Sequence, residues 1–227
     1  MGTSFWLSPA FILAAAVTLG AGCYSYIYLP YQMRRSYRQS LLTLARAVET
    51  KDVGAEGHGE RVASYVTEMA KEMKLPAKEI RKLEYAAFLQ DIGNVRVPHA
   101  ILNKRGRLTK QEFEILKSHT VVGAEMVEQI TFLRDIAPVI RQHHECWDGS
   151  GYPDGLKGEE IALGARMLAV ATAYDSMLSR RAYRGRKGEE QAIAELRAGS
   201  GTKWDPAIVE VFLKVLKKRH KAQGRAS

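Results

Sequence analysis

Four of the six histidines stand where several helices of one domain could bring them together. They are His58, His119, His143 and His144. Imidazole and carboxylate groups are natural protein ligands for zinc, iron, manganese and nickel, so this set predicts a transition-metal site. The adjacent pair His143–His144 cannot face one way from a regular helix, which favours a helix end beside two ions, or beside one ion and its surrounding groups. The other two histidines, His99 and His220, fall on a loop and in a basic tail.

The elements that would position these side chains are helices. Apolar residues recur with helical spacing along most of the chain after residue 54. The predicted helices cover residues 62–73, 77–92, 110–119, 122–130, 136–145, 160–179, 188–197 and 206–219. Thr109 with Glu112 three residues later predicts a capping box at the start of the third helix. A glycine-rich loop over 147–158 interrupts the series. Because no alternating strand pattern of useful length occurs, we expect an all-α helical bundle.

The N-terminal stretch has the composition of a transmembrane helix. No charged side chain precedes Arg34, and residues 5–31 are dominated by apolar and tyrosine side chains. About 20 apolar residues suffice to cross a bilayer. Trp6 and the tyrosines between 24 and 31 resemble interfacial belts, and three arginines follow. The positive-inside rule therefore predicts that residues 1–33 form a single-pass anchor in the inner (cytoplasmic) membrane, with the following domain in the cytoplasm. A cleaved signal peptide would need a basic start, which is missing here.

A basic amphipathic helix is predicted to connect this anchor to the domain. Residues 34–53 form this linker, Gly54 and Gly57 break it, and residues 54–227 form the domain. The linker could pair with its twin in a homodimer or pack onto its own domain. The net charge is +9, but the basic residues are spread out and no nucleic-acid-binding motif appears. We therefore expect contact with lipid or solvent and no nucleic acid polymer. Two cysteines far apart in the sequence suit a reducing compartment.

Several long blocks in the right order resemble the HD-GYP family. The blocks are GHGERV (57–62), LQDIGN (89–94), VPHAILNKRGRLTKQEFEILKSHTVVGAEM (97–126) and HHECWDGSGYPDGLKGEEIALGARMLAVATAYDSML (143–178). Gly151, Tyr152 and Pro153 are the tripeptide that gives the family its name. The likeness extends over about residues 41–216. It implies a cytoplasmic helical bundle that holds metal ions, often iron or manganese, and hydrolyses cyclic di-GMP to pGpG or GMP by metal-assisted displacement.

The resemblance also implies roles for individual residues. By position, the metal ligands of the family correspond to His58, Asp91, His119, His143 and His144. Asp91 is also the candidate catalytic residue. Arg181 and Arg184, in the segment SRRAYR, correspond to basic positions that hold the substrate phosphates. The Gly151–Pro153 loop is associated in this family with contacts to protein partners.

Three positions depart from the family pattern. Gln90 stands where the histidine of the His-Asp dyad is expected, Thr172 where a second aspartate is expected, and Asn94 where a lysine is expected. Neutral glutamine is a poor ligand for a transition metal, and threonine removes a charge that offsets the dication. We therefore expect one iron or manganese ion, on Asp91, His119, His143 and His144, in place of two or three.

Three hypotheses follow from these departures. The leading one is a degenerate HD-GYP-like domain that binds cyclic di-GMP or a signalling partner without efficient turnover. The alternative is an active metal-dependent phosphodiesterase that hydrolyses cyclic di-GMP. The third is a structural anchor that binds neither metal nor nucleotide. Metal content separates the third from the others, and a turnover assay separates the first two.

Overall fold

A computed structural model describes residues 9–52, 55–179 and 188–223 of the chain. The chain divides into two compact units, Met1–Leu41 and Leu42–Ser227. The predicted Trp6 belt residue and the phosphate-binding candidates Arg181 and Arg184 lie outside the described residues.

The first unit is helical throughout its described part. It contains α1 (Pro9–Cys23), a π-helical turn (Tyr24–Tyr28) and the beginning of α2 (Leu29–Glu49). Among the described residues, one helical stretch, Pro9–Glu49, is long and apolar enough to cross a membrane, a criterion of length and composition alone. None of its most apolar window is buried by other parts of the protein. The division into residues 1–33, 34–53 and 54–227 stays a prediction.

The second unit is a helical bundle that contains the final turns of α2. Its further α-helices are α3 (His58–Glu72), α4 (Ala77–Leu89), α5 (His99–Leu102), α6 (Lys110–Glu128), α7 (Ala137–Gln142), α8 (Leu163–Leu178), α9 (Glu189–Ala198) and α10 (Pro206–Gln223). Short 3-10 turns cover Ile92–Arg96, Arg134–Ile136 and Gly158–Glu160. The described residues contain no strand, and one isolated bridge joins Ser200 to Trp204. The predicted all-α class is confirmed.

The core lies where α3 packs against α4 and α8, with α10 closing it from the C-terminal side. Tyr65, Tyr174 and Phe212 meet there edge to face, with ring centroids 5.0–5.5 Å apart. Such contacts add to the burial of apolar surface, which is the main stabilising contribution in a bundle of this size. The α3–α4–α8 contact positions the part of the candidate site that contains His58. A second contact, of α6 with α7 and the 92–96 turn, positions the other histidines.

Several helix boundaries differ from the prediction, and three of the differences concern the histidine cluster and Asp91. The predicted helices 110–119 and 122–130 are one helix, α6, in which the hydroxyl of Thr120 donates to Lys117 O. Its capping box of Thr109 and Glu112 is confirmed. Helix α4 ends at Leu89, so Asp91 lies outside it, and α7 ends at Gln142, just before the histidine pair.

Candidate metal centre

Three histidines converge at the contact between α6 and the end of α7. His119 comes from the middle of α6, and His143 and His144 follow the last residue of α7. One ring nitrogen from each of the three lies within 4.8 Å of the others. The adjacent pair can face the same point because the helix has already ended. The histidine grouping expected from the sequence is therefore present for these three residues.

The hydrogen bonds of two of these rings leave a nitrogen lone pair directed at the cluster. Nδ1 of His119 lies 2.7 Å from Leu116 O, and Nδ1 of His143 lies 2.6 Å from Ile140 O. A carbonyl can only accept, so Nδ1 carries the proton and Nε2 is the acceptor atom. Fixing the ring in this way through a backbone carbonyl is typical of metal-ligating histidines.

Both of these Nε2 atoms are buried, and neither has a hydrogen-bond partner within the described part of the chain. A buried polar atom without a partner costs roughly 1–3 kcal/mol. Burial and the proximity of His119 lower the pKa of His143 to about 4, so its ring is neutral at physiological pH. Two oriented and unsatisfied imidazole nitrogens are donors of the kind that a transition-metal ion binds. The residues present therefore fit a bound metal.

Asp91 lies between this cluster and His58. Its Oδ1 is 3.8 Å from Nε2 of His119, and its Oδ2 is 4.0 Å from Nε2 of His58. The side chain is one third exposed, so the carboxylate faces both the histidines and solvent. Its position depends on Gly93, because a Cβ at that residue would lie 2.0 Å from His119 O. The 92–96 turn thus contacts the backbone of α6 directly, which sets the spacing between Asp91 and His119.

His58 is engaged in a hydrogen-bond chain of its own. Its Nδ1 lies 2.7 Å from Asp175 Oδ2, and its Nε2 lies 3.2 Å from Nε2 of Gln90. The Thr172 hydroxyl donates to Oε1 of Gln90 over 2.9 Å. The donor and acceptor roles are consistent along this series of hydrogen bonds. The His58 ring donates to Asp175 and accepts from the NH₂ group of Gln90, and the Gln90 oxygen accepts from Thr172. His58 therefore has both ring nitrogens occupied by protein groups.

Asp175 is a functional candidate that the sequence analysis missed. It is buried and also accepts two hydrogen bonds from Arg61, at 2.6 and 3.0 Å. Burial alone would raise the pKa of this carboxyl, but the hydrogen bonds from His58 and Arg61 hold it at about 2. The charged carboxylate therefore orients the ring of His58. Since Asp175 is 117 residues from His58, only the packing of α3 on α8 could reveal the pair.

Asn94, the third departure from the family pattern, lies beside the candidate metal ligand Asp91. Its Nδ2 is 3.3 Å from Oδ1 of Asp91, and its own Oδ1 is buried with no partner among the described residues. A neutral amide thus contacts the carboxylate where the resemblance implies a cation.

The Gly151–Pro153 tripeptide lies against the histidine cluster. The ring of Tyr152 stacks on His144 with centroids 4.9 Å apart, and its backbone N–H donates to His144 O. A Cβ at Gly151 would lie 2.2 Å from the backbone N of Cys146, so only glycine fits there. Buried Glu145, also missed from the sequence, accepts from the N–H groups of Asp154 and Gly155. This loop is therefore fastened to the residues that directly follow the histidine pair.

Comparison with known proteins identifies the family of this chain. The family model described as "HD domain" matches residues 43–208, well over half of the chain. The chain belongs to the HD domain family. HD domains are metal-dependent, which is consistent with the histidine cluster. The family resemblance on which the sequence analysis relied is confirmed at this level.

Curated relatives of this HD domain are cyclic-dinucleotide enzymes. A cyclic di-GMP phosphodiesterase response regulator of Xanthomonas campestris is 39% identical over 179 residues, which is 78% of this chain and 47% of the relative. A cyclic di-GMP phosphodiesterase of Thermotoga maritima is 40% identical over 171 residues, 74% of this chain and 46% of the relative. The chain thus spans about half the length of these relatives.

Solved structures share the fold of this HD domain. A cyclic GMP-AMP-specific phosphodiesterase of Vibrio cholerae matches with a TM-score of 0.63 and 20% identity, over 79% of this chain and 48% of that one. A protein of Bdellovibrio bacteriovorus, described as an HDG"Y"P protein, matches with a TM-score of 0.60 and 20% identity. The match covers 81% of this chain and 61% of that one. At this identity the likeness establishes the fold alone.

Proposed function

We propose that this chain is a metal-dependent phosphodiesterase of the HD domain family that hydrolyses cyclic di-GMP to pGpG or GMP. The observation that carries the proposal is the cluster of His119, His143 and His144 beside Asp91, with two buried imidazole nitrogens that have no hydrogen-bond partner among the described residues. The names of the curated relatives support the substrate class. They favour the active phosphodiesterase, the alternative of the sequence analysis, over the degenerate binding domain that it placed first.

In this proposal Asp91, His119, His143 and His144 hold one iron or manganese ion. Such an ion supplies activation of water and stabilisation of charge on the phosphoryl oxygens. The protein contributes preorganisation, because two rings are fixed through Leu116 O and Ile140 O before any ion arrives. His58 serves as a neighbour held by Gln90 and Asp175, and its position beside Asp91 limits where that carboxylate can turn. Arg181 and Arg184 are proposed to hold the substrate phosphates.

A second candidate function is binding of cyclic di-GMP without efficient turnover. The observation that favours it is the chain from Thr172 through Gln90 to His58, which joins two of the residues that depart from the family pattern. A phosphate group could then be bound by the arginines and the single ion while a second ion is lacking. The loop of Gly151–Pro153 would in that case act mainly as a contact for a protein partner.

A hydrolysis assay separates the two candidates. The full chain, purified in detergent, is incubated with cyclic di-GMP and Mn²⁺ or Fe²⁺, and pGpG and GMP are quantified by chromatography. The first candidate predicts metal-dependent turnover that Asp91→Ala abolishes. Nucleotide binding without product, weakened by Arg181→Ala with Arg184→Ala in a salt-dependent manner, supports the second. A protein that binds neither metal nor nucleotide is the structural anchor of the third hypothesis.

We also propose a location for the domain. Residues 1–33 anchor the chain in the inner membrane and the HD domain lies in the cytoplasm, where cyclic di-GMP is made and degraded. Ala45 and Val48 of the linker are buried against the domain, which supports the linker packing on its own domain over a homodimer seam.

A further inference from the structure

The last turn of α2 contacts the backbone on both sides of the candidate site. Glu49 is the final residue of this helix, and Lys51 follows in the turn after it. Both belong to the same compact unit as the histidines. Each binds main-chain atoms next to a residue of the site, so neither is an ordinary surface charge.

Glu49 caps the first turn of α3 from outside that helix. Its Oε2 accepts from Gly57 N over 2.9 Å, and its Oε1 accepts from Gly59 N over 2.6 Å. These two N–H groups flank His58, and Gly57 provides no side-chain cap of its own. A carboxylate on the free N–H groups of a helix start stabilises that start through hydrogen bonds and the helix dipole. The backbone that carries His58 is therefore fixed by a residue of α2.

Lys51 binds the turn that follows Asp91. Its ammonium donates to Asn94 O, Val95 O and Val97 O, at 3.0, 2.9 and 3.1 Å. An ammonium has three protons, so all of its hydrogen-bonding capacity is used on one short stretch of main chain. The side-chain amide of Asn103 in turn donates to Lys51 O over 2.6 Å. The turn that carries Asp91 is thus tied to the same end of α2 as the turn that carries His58.

We propose that Glu49 and Lys51 are positioning residues of the candidate metal centre, which hold the His58 turn and the Asp91 turn at their observed separation. The proposal rests on the proposed function in that Asp91 is taken as a metal ligand. His58 Nε2 and Asp91 Oδ2 are 4.0 Å apart, so a small shift of either turn changes how the carboxylate faces the histidines. Productive sites hold their ligands to within about 0.5 Å, and supporting residues provide that accuracy.

A matched control exists on the same helix. Arg46 also joins α2 to α3, through its side chain to that of Glu60. Both of these side chains are well exposed, and the hydrogen bond between them joins side-chain atoms alone. Loss of Arg46 therefore removes a contact between the same two helices without releasing the turns of His58 or Asp91.

The test compares Glu49→Ala, Glu49→Gln, Lys51→Met and Arg46→Ala in the detergent-purified full chain, with Mn²⁺ affinity measured by calorimetry. We expect Glu49→Ala and Lys51→Met to weaken Mn²⁺ binding about tenfold, the usual scale for losing a group that supports a ligand. Glu49→Gln keeps one acceptor oxygen and should lose less, which also gives a result if the alanine variant does not fold. Arg46→Ala should bind as the unaltered chain does. The proposal is overturned if Glu49→Ala and Lys51→Met bind Mn²⁺ with the affinity of the unaltered chain.

A second readout separates this proposal from the proposed function. The ring nitrogens of His58 are observed by NMR in the metal-free protein, where Nδ1–H reports its bond to Asp175. We expect the chemical shift of this Nδ1–H group to change in Glu49→Ala and to stay the same in Arg46→Ala. If the unaltered chain binds no Mn²⁺, the metal-centre proposal fails, while the His58 signal still decides the role of Glu49. An unchanged signal in Glu49→Ala refutes that role even in a metal-binding protein.

Discussion

The side-chain amide of Gln90 lies 3.2 Å from Nε2 of His58, and its oxygen accepts from the hydroxyl of Thr172. Two positions that depart from the family pattern, 82 residues apart in sequence, are therefore hydrogen-bonded to each other. Gln90 is almost fully buried, so the amide needs both partners. A hydrogen-bonded pair of glutamine and threonine thus stands where the family pattern has a histidine and an aspartate as candidate ligands.

Restoring Gln90→His and Thr172→Asp together should allow a second metal ion to bind and should raise hydrolysis of cyclic di-GMP. Each single change should do less than the pair. Gln90→His alone leaves the Thr172 hydroxyl without its acceptor, and Thr172→Asp alone sets a carboxylate against Oε1 of Gln90. Elemental analysis and product formation measure both effects, and Asn94→Lys should add further activity. Single variants whose effects simply add up to that of the pair would contradict the coupling.

Replacing His143 and His144 together by alanine should strip the metal, while His58→Ala should weaken its binding without abolishing it. The reason is that the first two converge with His119, whereas both ring nitrogens of His58 are held by protein groups. We expect about one ion per chain in the unaltered protein and in the exposed control His99→Ala, measured by elemental analysis. Two or more tightly held ions in the unaltered chain would show that other groups supply the ligands that Gln90 and Thr172 do not provide.

Tyr152→Ala should weaken Mn²⁺ binding several-fold, and Tyr152→Phe should have little effect. The stacked ring of Tyr152 supports His144, and phenylalanine keeps that ring while removing only the hydroxyl. Titration of the metal-free protein with Mn²⁺ compares the three proteins directly. If the phenylalanine variant loses as much affinity as the alanine variant, the hydroxyl matters and the stacking does not.

Asp175→Asn should destabilise the protein most above pH 4, with the difference from the unaltered chain shrinking as the pH falls toward 2. The folded-state pKa of Asp175 is about 2, below its ordinary 3.8, so its charged form adds stability that is fully present above the unfolded value. That contribution is about 2 kcal/mol and is lost as the carboxyl is protonated. Denaturant unfolding at pH 6 and pH 3 measures the difference, which a pH-independent effect of the substitution would leave constant.

Reporter fusions at the C-terminus should behave as cytoplasmic. Arg34, Arg35 and Arg38 follow the apolar stretch, while no charged side chain precedes it, so the positive-inside rule places the domain inside. Activity of a periplasmic reporter fused after residue 227 would refute this orientation. Replacing the three arginines with neutral residues should reduce the fraction of correctly oriented chains.

The fold class was predictable because helical periodicity and caps are local signals. The capping box of Thr109 and Glu112 needs only four residues and occurs as predicted. The length of α6 was not predictable from propensity, since the Thr120–Val121 pair could equally have marked a break. Its continuity places His119 inside a rigid helix and opposite Gly93.

The candidate site was predictable in its residue types and less so in its connections. His119, His143 and His144 converge as expected, because the family resemblance supplied their positions. The separate bonding of His58 with Asp175 and Gln90 depends on α3, α4 and α8 meeting at one point. Sequence spacing alone does not show that contact, nor does it show that Glu145 ties the Gly151–Pro153 loop to the histidine pair.

Gly93 has a consequence for how chains of this kind are recognised. Its missing Cβ lets the turn after Asp91 touch the backbone of α6, a demand of packing that applies whether or not any ion binds. Gly151 is under the same kind of demand from the backbone of Cys146. Selection for the fold alone will preserve such positions long after selection for chemistry has ended. A relative could therefore lose every histidine of the cluster and still match the family along its whole length, so the similarity score of a chain and its catalytic power can diverge during evolution.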